Sequence, residues 1–493
     1  MKKIILALIL LLSHRLMAQT ITPREKQEII QQLKKELLQA DSLKKATTEI
    51  EEIDSLEEDQ VTLNKQKGEW LEGYDVSWWN GGDRRSKPTL AGKYFTPTVM
   101  LDINGTYSFA NPIDNTVVGS TALGRNNEIQ LAAAFIGGDF HYKGARARLI
   151  AMYGTNSTVI PRDDISFYRG QYHLDNAYRY LGEANAGYHF NVLHGINVDA
   201  GMFVSYIGLN SYYQVENWEY QASYTSDNTP WFFNGIRVQV HVNKHLKIEP
   251  WLINGWQSYG MINHQPGIGG NITWCPNENV KLLTNDYYGA DAALIPGRKR
   301  FHSDNSALFR YYNSPKSTGI SKMAFSLTAD VGFEKGGGVN GFTSSDANGP
   351  AQYFLSAMFY NRIWFHKDHF AWTIGGGFIQ NPGRYLVLAP TGDASPQPNP
   401  NNPTTTEGTH PFSANPGDQF TGWDCSTNFD WMPNRHITFR LEYVHRHANV
   451  GYFAGHGGVT SPSGWTTTSI PSDWTPDLVK TEDRVIFALL FRL

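Results

Sequence analysis

The sequence predicts an all-β transmembrane protein: an up-and-down antiparallel β-barrel of about sixteen strands, preceded by an N-terminal periplasmic α-helix. Three observations carry this. From about Pro97 to the C-terminus, apolar and polar residues alternate with a period of two. Short polar turns take turns with long connections rich in Gly, Asn, Ser, Pro and Tyr. The chain also ends on "RVIFALLFRL", whose apolar run over 485–491 has no helix-forming sequence after it to cover it.

Composition agrees with a chain facing an apolar medium on one side and water on the other. Of 493 residues, 18% are charged and 13% aromatic, and there are 46 glycines. Mean hydropathy is nonetheless −0.40, because Asn, Gln, Ser, Thr and Tyr supply the polarity. The formal charge of −4 argues against nucleic acid as a partner.

Residues 1–18 read as a secretory signal peptide: Lys2 and Lys3, the apolar stretch from Ile4 to Leu12, then Leu16, Met17 and Ala18 before Gln19. No Cys follows that cut, so a lipid anchor is not expected. No later segment approaches the ~18 apolar residues of a spanning helix. Residues 19–68 form a charged helix opened by Thr22 as N-cap, Pro23 at N1 and Glu25 closing a capping box. Ile30, Leu33 and Leu37 make a narrow apolar stripe, which Ala46, Ile50 and Ile53 repeat in a shifted frame. A short coiled coil or interfacial helix and a charged tether fit this stripe equally. Residues 69–96 link it to the barrel at 97–493. Cys275, at a turn, and Cys425, on an apolar face, read as two free and mostly buried thiols.

The barrel strands are read from their faces. In "TVMLDINGTYSF", Val99, Leu101, Ile103, Tyr107 and Phe109 alternate with Met100, Asp102, Asn104, Thr106 and Ser108. "GINVDAGMFVSY" and "NGIRVQVHVN" alternate likewise, the latter with Arg237, Gln239 and His241 on its polar face. Short turns ("YKGAR", "VLHGIN", "NKHLK", "PNEN", "HKDHF", "MPNRH") separate long connections such as 155–179, 208–230 and 382–419. About sixteen strands joined by seven short turns and eight long loops leave both ends on one side. Backbone amides in lipid must all be paired, which a closed sheet achieves. Aromatics near strand ends, such as Tyr107, Phe109, Trp423 and Trp431, suit the girdles at the two interfaces. On the last strand Val485, Phe487, Leu489, Phe491 and Leu493 would meet lipid. Arg484, Ile486, Ala488, Leu490 and Arg492 form its other, partly apolar face.

The blocks "DVSWWNG", "GRNNEIQL", "YRYLGEANAGYHF", "GINVDAGMFVSYIGLNSY", "ENWEYQASYTSDNTPWFFNGIR" and "WLINGWQSYG" resemble the outer-membrane β-barrel porins of the OmpL-like family, including the Bacteroidetes type. The resemblance covers roughly residues 75–312 and follows the general pattern beyond. It implies a passive channel in the outer membrane of a Gram-negative bacterium and carries no catalytic residues over to this chain.

The polar strand face should line the lumen. It offers Arg146, Arg148, Asp199, Arg237, Glu249, Lys281, Asp330, Arg362, Arg440 and Glu442, with Asp102, Glu183 and Asp424 turned the same way. Salt-bridge ladders that stiffen the wall and a transverse field that sorts solutes are both open readings. The loop "NSYYQVENWEYQASYTSDNTP" is expected to fold inward, with Tyr212, Tyr213, Glu216, Trp218, Glu219 and Tyr220 setting a constriction. "HRH" at His445 and His447, with His456 nearby, lacks the acidic or thiolate partners of a metal site. No Ser sits in a strained elbow motif, so no catalytic group or cofactor is assigned. The expected function is passive diffusion of small hydrophilic solutes. The rival is a plugged or narrow barrel that binds periplasmic partners or cell wall through its helix. Outer-membrane lipid surrounds it in either case, and a homotrimer is expected by analogy with other sixteen-strand porins.

Overall fold

The computed structural model describes residues 24, 27, 28, 31, 32 and 35, and from residue 70 onward all but 80, 82–87, 162, 163, 165, 167, 168, 383–396, 400, 401, 408–419, 466–468 and 472. The signal peptide and most of the segment 19–68 lie outside the described residues. The six N-terminal positions are helical, with Arg24 and Glu28 one turn apart and 3.8 Å between charged atoms.

From Phe95 on, period-two patterning becomes sheet. The strands are β1 (Phe95–Ser108), β2 (Ile129–Tyr142), β3 (Ala145–Tyr153), β4 (Leu181–Phe190), β5 (Ile196–Val204), β6 (Phe232–His241), β7 (Leu246–Ile253) and β8 (Gly267–Asn277). They continue as β9 (Val280–Gly289), β10 (Lys299–Asn313), β11 (Ile320–Gly336), β12 (Tyr353–Phe365), β13 (Phe370–Gln380), β14 (Thr421–Trp431), β15 (Ile437–Ala448) and β16 (Thr481–Arg492). Each pairs antiparallel with its neighbours in sequence, and β16 returns to β1 over the register Met100↔Arg492 to Ser108↔Arg484. The sixteen-strand sheet therefore has no free edge. Seven short turns lie at one end of the barrel and eight longer connections at the other. Among the described residues, three of the long loops carry short strands of their own: Val339–Asn340, Gln397–Asn399 with Asn402–Glu407, and Phe453–Ala454 with Leu478–Val479.

The faces follow the alternation. On β16 Phe487 is 50% exposed, whereas Ile486, Ala488 and Leu490 are fully buried. Leu101, Phe359, Ile374, Leu441 and Tyr443 also point outward and exposed, and form part of the apolar band that lipid would cover. Exposed aromatics gather at both rims. Tyr107, Tyr153, Tyr288 and Trp423 stand near the long-loop end, and Tyr142, Phe190, Tyr311 and Trp431 near the short-turn end. Among the described residues no helix is long and apolar enough to cross a membrane. Two expectations need correction. Cys275 lies within β8 rather than at a turn, and only it is buried, while Cys425 is exposed on the outer face of β14. Both thiols are free. An outward strand position lacks a covering layer within the protein, so an apolar parity there does not imply burial.

Phe487 sits midway along β16, paired with Gly105 and Leu441. Phe487→Arg should destabilise the barrel by about 2–4 kcal/mol, the cost of a cation facing lipid near the midplane. Urea unfolding in lipid vesicles, read by heat-modifiable gel mobility, checks this.

Candidate functional site

The interior is dominated by the connection 205–231, between β5 and β6, which turns inward instead of outward. Backbone and side chains of residues 211–227 are almost wholly buried. Its course is fixed by charged side chains of the wall. Glu442 on β15 accepts the backbone N–H of Tyr220 at 2.6 Å and of Gln221 at 2.8 Å. Asp424 on β14 accepts the Tyr224 N–H and the Ser223 hydroxyl, at 3.0 and 2.9 Å. Arg484 donates to Gln221, Arg446 pairs with Asp227 at 3.2 Å, and Arg492 pairs with Glu216 at 2.6 Å.

A buried charge triad grips the loop carbonyls. Asp430 lies between Arg362 (2.7 Å) and Arg440 (2.8 Å), and all three are fully buried. The spare guanidinium N–H groups then donate to the loop: Arg362 to the Trp218 carbonyl at 3.0 Å and Arg440 to that of Asn217 at 2.9 Å. Burying three charges is costly, and these extra hydrogen bonds help to offset it. The glycines of β13 make room. A Cβ on Gly377 would overlap the Ser223 hydroxyl and one on Gly375 the Tyr360 ring, so the wall is bare backbone where these groups press against it.

The partly apolar inner face of the last strand is now accounted for. Ile486, Ala488 and Leu490 pack with Met100, Phe135, Tyr212, Tyr213, Val215 and Tyr220 in one cluster inside the barrel. The loop covers this patch with its aromatic side chains and saturates their hydroxyls against the wall. Tyr212 donates to the Gly182 carbonyl (2.6 Å), Tyr213 to Glu183 (2.9 Å) and Tyr220 to Asp102 (2.9 Å). Tyr212, Tyr213 and Tyr220 therefore face the wall, not the free lumen. Trp218 is also buried, Glu219 is hydrogen-bonded by Asn210, and Glu216 keeps partial exposure beside Arg492.

The ten expected lining residues all lie on inward faces but divide into three groups. Arg146, Arg148, Asp199, Arg237 and Glu249 lie along the inner face of β3–β7 as a ladder of three separate ion-pair groups. Asp199 bridges Arg146 (3.2 Å) and Arg237 (3.1 Å), and Arg148 bridges Asp139 and Glu183, both at 2.7 Å. Glu249 takes Lys247 at 2.8 Å. Arg362, Arg440 and Glu442 sit under the loop, as its anchors. Lys281 lies against the Trp79 ring, and Asp330 is buried beside His302 at 3.1 Å. The sequence reading passed over Asp430, Asp139 and Asp227. The parity of β14 places Asp430 on the face of Asp424 and Asn428, so strand alternation held that signal. Asp227 had none, because a loop has no parity. His445 faces outward to Asp483 and His447 lies beside Trp423, and among the described residues no His, Cys, Asp and Glu side chains gather as a metal site.

Outside the membrane band, Asp114 clamps the loop 109–128 to the loop 449–480. It accepts the N–H groups of Val459 (2.7 Å) and Thr460 (2.8 Å) and the Thr460 hydroxyl (2.9 Å). Burial alone would raise its pKa, but these N–H groups and that of Thr116 hold it below the ordinary carboxylate value. The stabilisation is thus complete above that value, roughly pH 4, and is lost as pH falls through the lowered pKa. The hydrogen-exchange protection factors of the Val459 and Thr460 amides should be high at neutral pH and fall in that acid window, and Asp114→Ala should lower them at every pH where the carboxylate is ionised in the wild type. Glu442→Ala should cost about 3 kcal/mol, because two buried loop N–H groups lose a charged acceptor. Urea unfolding, with exchange of the Tyr220 and Gln221 amides, measures it.

Comparison with known proteins places this geometry in a family. A model of the OmpL-like beta-barrel porin-2 family matches residues 95–470. No curated protein matches the chain. Similar solved structures include the trimer form of in-vitro folded OmpT from Vibrio cholerae, at 6% identity and TM-score 0.45, covering 81% of this chain and 99% of that one. The outer membrane channel DcaP of Acinetobacter baumannii matches at 10% identity and TM-score 0.45, covering 82% of this chain and 100% of that one. An anion-selective porin from Comamonas acidovorans matches at 8% identity and TM-score 0.45, covering 81% and 99%. With its closed sheet, outward apolar band and inward loop, the chain belongs to the OmpL-like beta-barrel porin-2 family and is a porin of the Gram-negative outer membrane.

Proposed function

We propose that small hydrophilic solutes diffuse passively through this porin along the sector of wall formed by β2–β7. The observation that carries this is exposure. The loop 205–231 covers the wall from β12 round to β1 and reaches β4 through Tyr212 and Tyr213, yet within the ladder Asp139 keeps 46% and Arg146 34% of its side chain exposed. Arg146, Arg148, Arg237 and Lys247 alternate there with Asp139, Glu183, Asp199 and Glu249, so a solute would cross a field of closely spaced opposite charges. Such a wall exchanges hydrogen bonds with a polar solute as its hydration shell is stripped. The loop aromatics act as anchors in this reading, and the acids Glu216 and Glu219 form the loop's contribution to the field.

The interior is heavily filled, which favours small solutes and slow flux over general permeability. No residue is assigned a catalytic role. A homotrimer is the assembly proposed, and chemical crosslinking in mild detergent tests it.

Purified protein in planar bilayers should give discrete channels, and liposomes should swell faster with a pentose than with a disaccharide. A folded barrel that passes no current overturns the proposal. Arg146→Ala removes the more exposed of the two cations on Asp199 and leaves Arg237 to pair it, so the cation-to-anion permeability ratio read from the reversal potential should rise severalfold with the fold retained.

A further inference from the structure

We propose that residues 70–79 and 81, in front of the first strand, form an internal strap that sets the narrowest section of the channel at its short-turn end, so that displacing the strap widens the pore. This rests on the diffusion reading above.

The strap crosses the barrel mouth through a series of specific contacts. It begins at the β6–β7 turn, where the Leu71 N–H donates to the Lys244 carbonyl at 3.1 Å and the Trp70 ring lies 5.1 Å from that of His241. Tyr74 reaches His245 at 2.7 Å and the Pro276 carbonyl at 3.2 Å. Asp75 then meets Arg310 on β10 at 2.5 Å, and Glu278 of the β8–β9 turn holds the same guanidinium at 3.0 Å. Lys322 on β11 donates to the Ser77 hydroxyl. Trp78, with no exposed surface, donates its indole N–H to the Glu278 carbonyl and lies under Arg310.

The strap ends on the inward loop. Trp218 donates to the Trp78 carbonyl at 3.3 Å, and the Gly81 N–H donates to the Glu216 carbonyl at 3.1 Å. Arg362, already an anchor of the loop, also donates to the Gly81 carbonyl at 3.1 Å. A Cβ at position 81 would overlap the Asn217 carbonyl oxygen, so the backbones touch directly there. The motif "DVSWWNG" thus has a physical role: a carboxylate for Arg310, a hydroxyl for Lys322, an indole to fill the mouth and a glycine to meet the loop.

Size decides what this junction does. The cavity left between strap and loop, walled by Trp79, Trp218, Glu216, Glu219 and Lys281, holds about 60 Å³. That is room for a few ordered waters. The strap and the loop together lie across the barrel from the β6–β7 turn round to β1, leaving the inner face of β2–β7 as the proposed open sector. The fastening near the mouth is polar and water-accessible, with Asp75 38% and Glu278 40% exposed, which places it among the first contacts to open.

The test uses the full chain in planar bilayers, with hydrogen exchange of the Leu71 and Gly81 amides as a readout independent of current. Asp75→Arg sets a cation against Arg310 and Lys322, and Asp75→Arg with Arg310→Asp restores an opposite pair. The expected result is slow exchange in the wild type, fast exchange and severalfold higher conductance in the single variant, and reversal of both in the double. Fast exchange in the wild type overturns the proposal, as do protected amides in the single variant. A released strap with unchanged, non-zero conductance sinks the strap alone. Folded wild type and single variant that both pass no current sink the diffusion reading as well.

Discussion

Lipid offers a backbone amide no hydrogen bond, and the rest of this structure descends from that constraint. Every strand must find two partners, so β16 must return to β1, and their nine-residue register from Met100↔Arg492 to Ser108↔Arg484 seals the sheet. Once the sheet is closed, side chains have only two destinations. One parity meets hydrocarbon and the other meets the interior, and a one-residue slip would exchange them. The apolar band, the two aromatic rims and the concentration of ionised groups inside all follow from that division.

A sheet this wide encloses more space than its own side chains fill. The protein fills much of it with chain that is not strand. The loop 205–231 docks through an apolar patch of tyrosines on Ile486, Ala488 and Leu490, and through charges that would be expensive to bury alone. The Arg362–Asp430–Arg440 triad is the clearest case. The two guanidiniums share the one carboxylate of Asp430, and each also donates to a loop carbonyl. Hydrophobic contact gives the loop affinity for the wall, and the triad gives it one position.

Much of this was legible from residues alone. Alternation in "TVMLDINGTYSF" and "RVIFALLFRL" gave the faces of β1 and β16, and the turn lengths gave the strand count and the common side of both ends. The inward direction of Arg440 and Glu442 was legible for the same reason. What they touch was not. A period-two pattern reports which face a side chain is on and says nothing of whether that face meets water or another segment. Hence Arg146 and Arg440 look equivalent in sequence, while one borders open space and the other holds a loop. The tyrosines of 212–220 were recognised as belonging inside, but a loop has no parity to say which way they point. The segment 69–96 read as a linker because it lacks periodicity, and contacts such as Asp75–Arg310 join residues more than two hundred positions apart.

The sequence by itself therefore determined the solvent of each strand face and the closure of the sheet, because both depend on local alternation and on the energetics of a backbone in lipid. Only the tertiary structure decided how the interior is shared between wall, loop and the segment ahead of β1. That partition is set by packing and charge pairing between residues far apart in the chain, for which nearest-neighbour pattern holds no information.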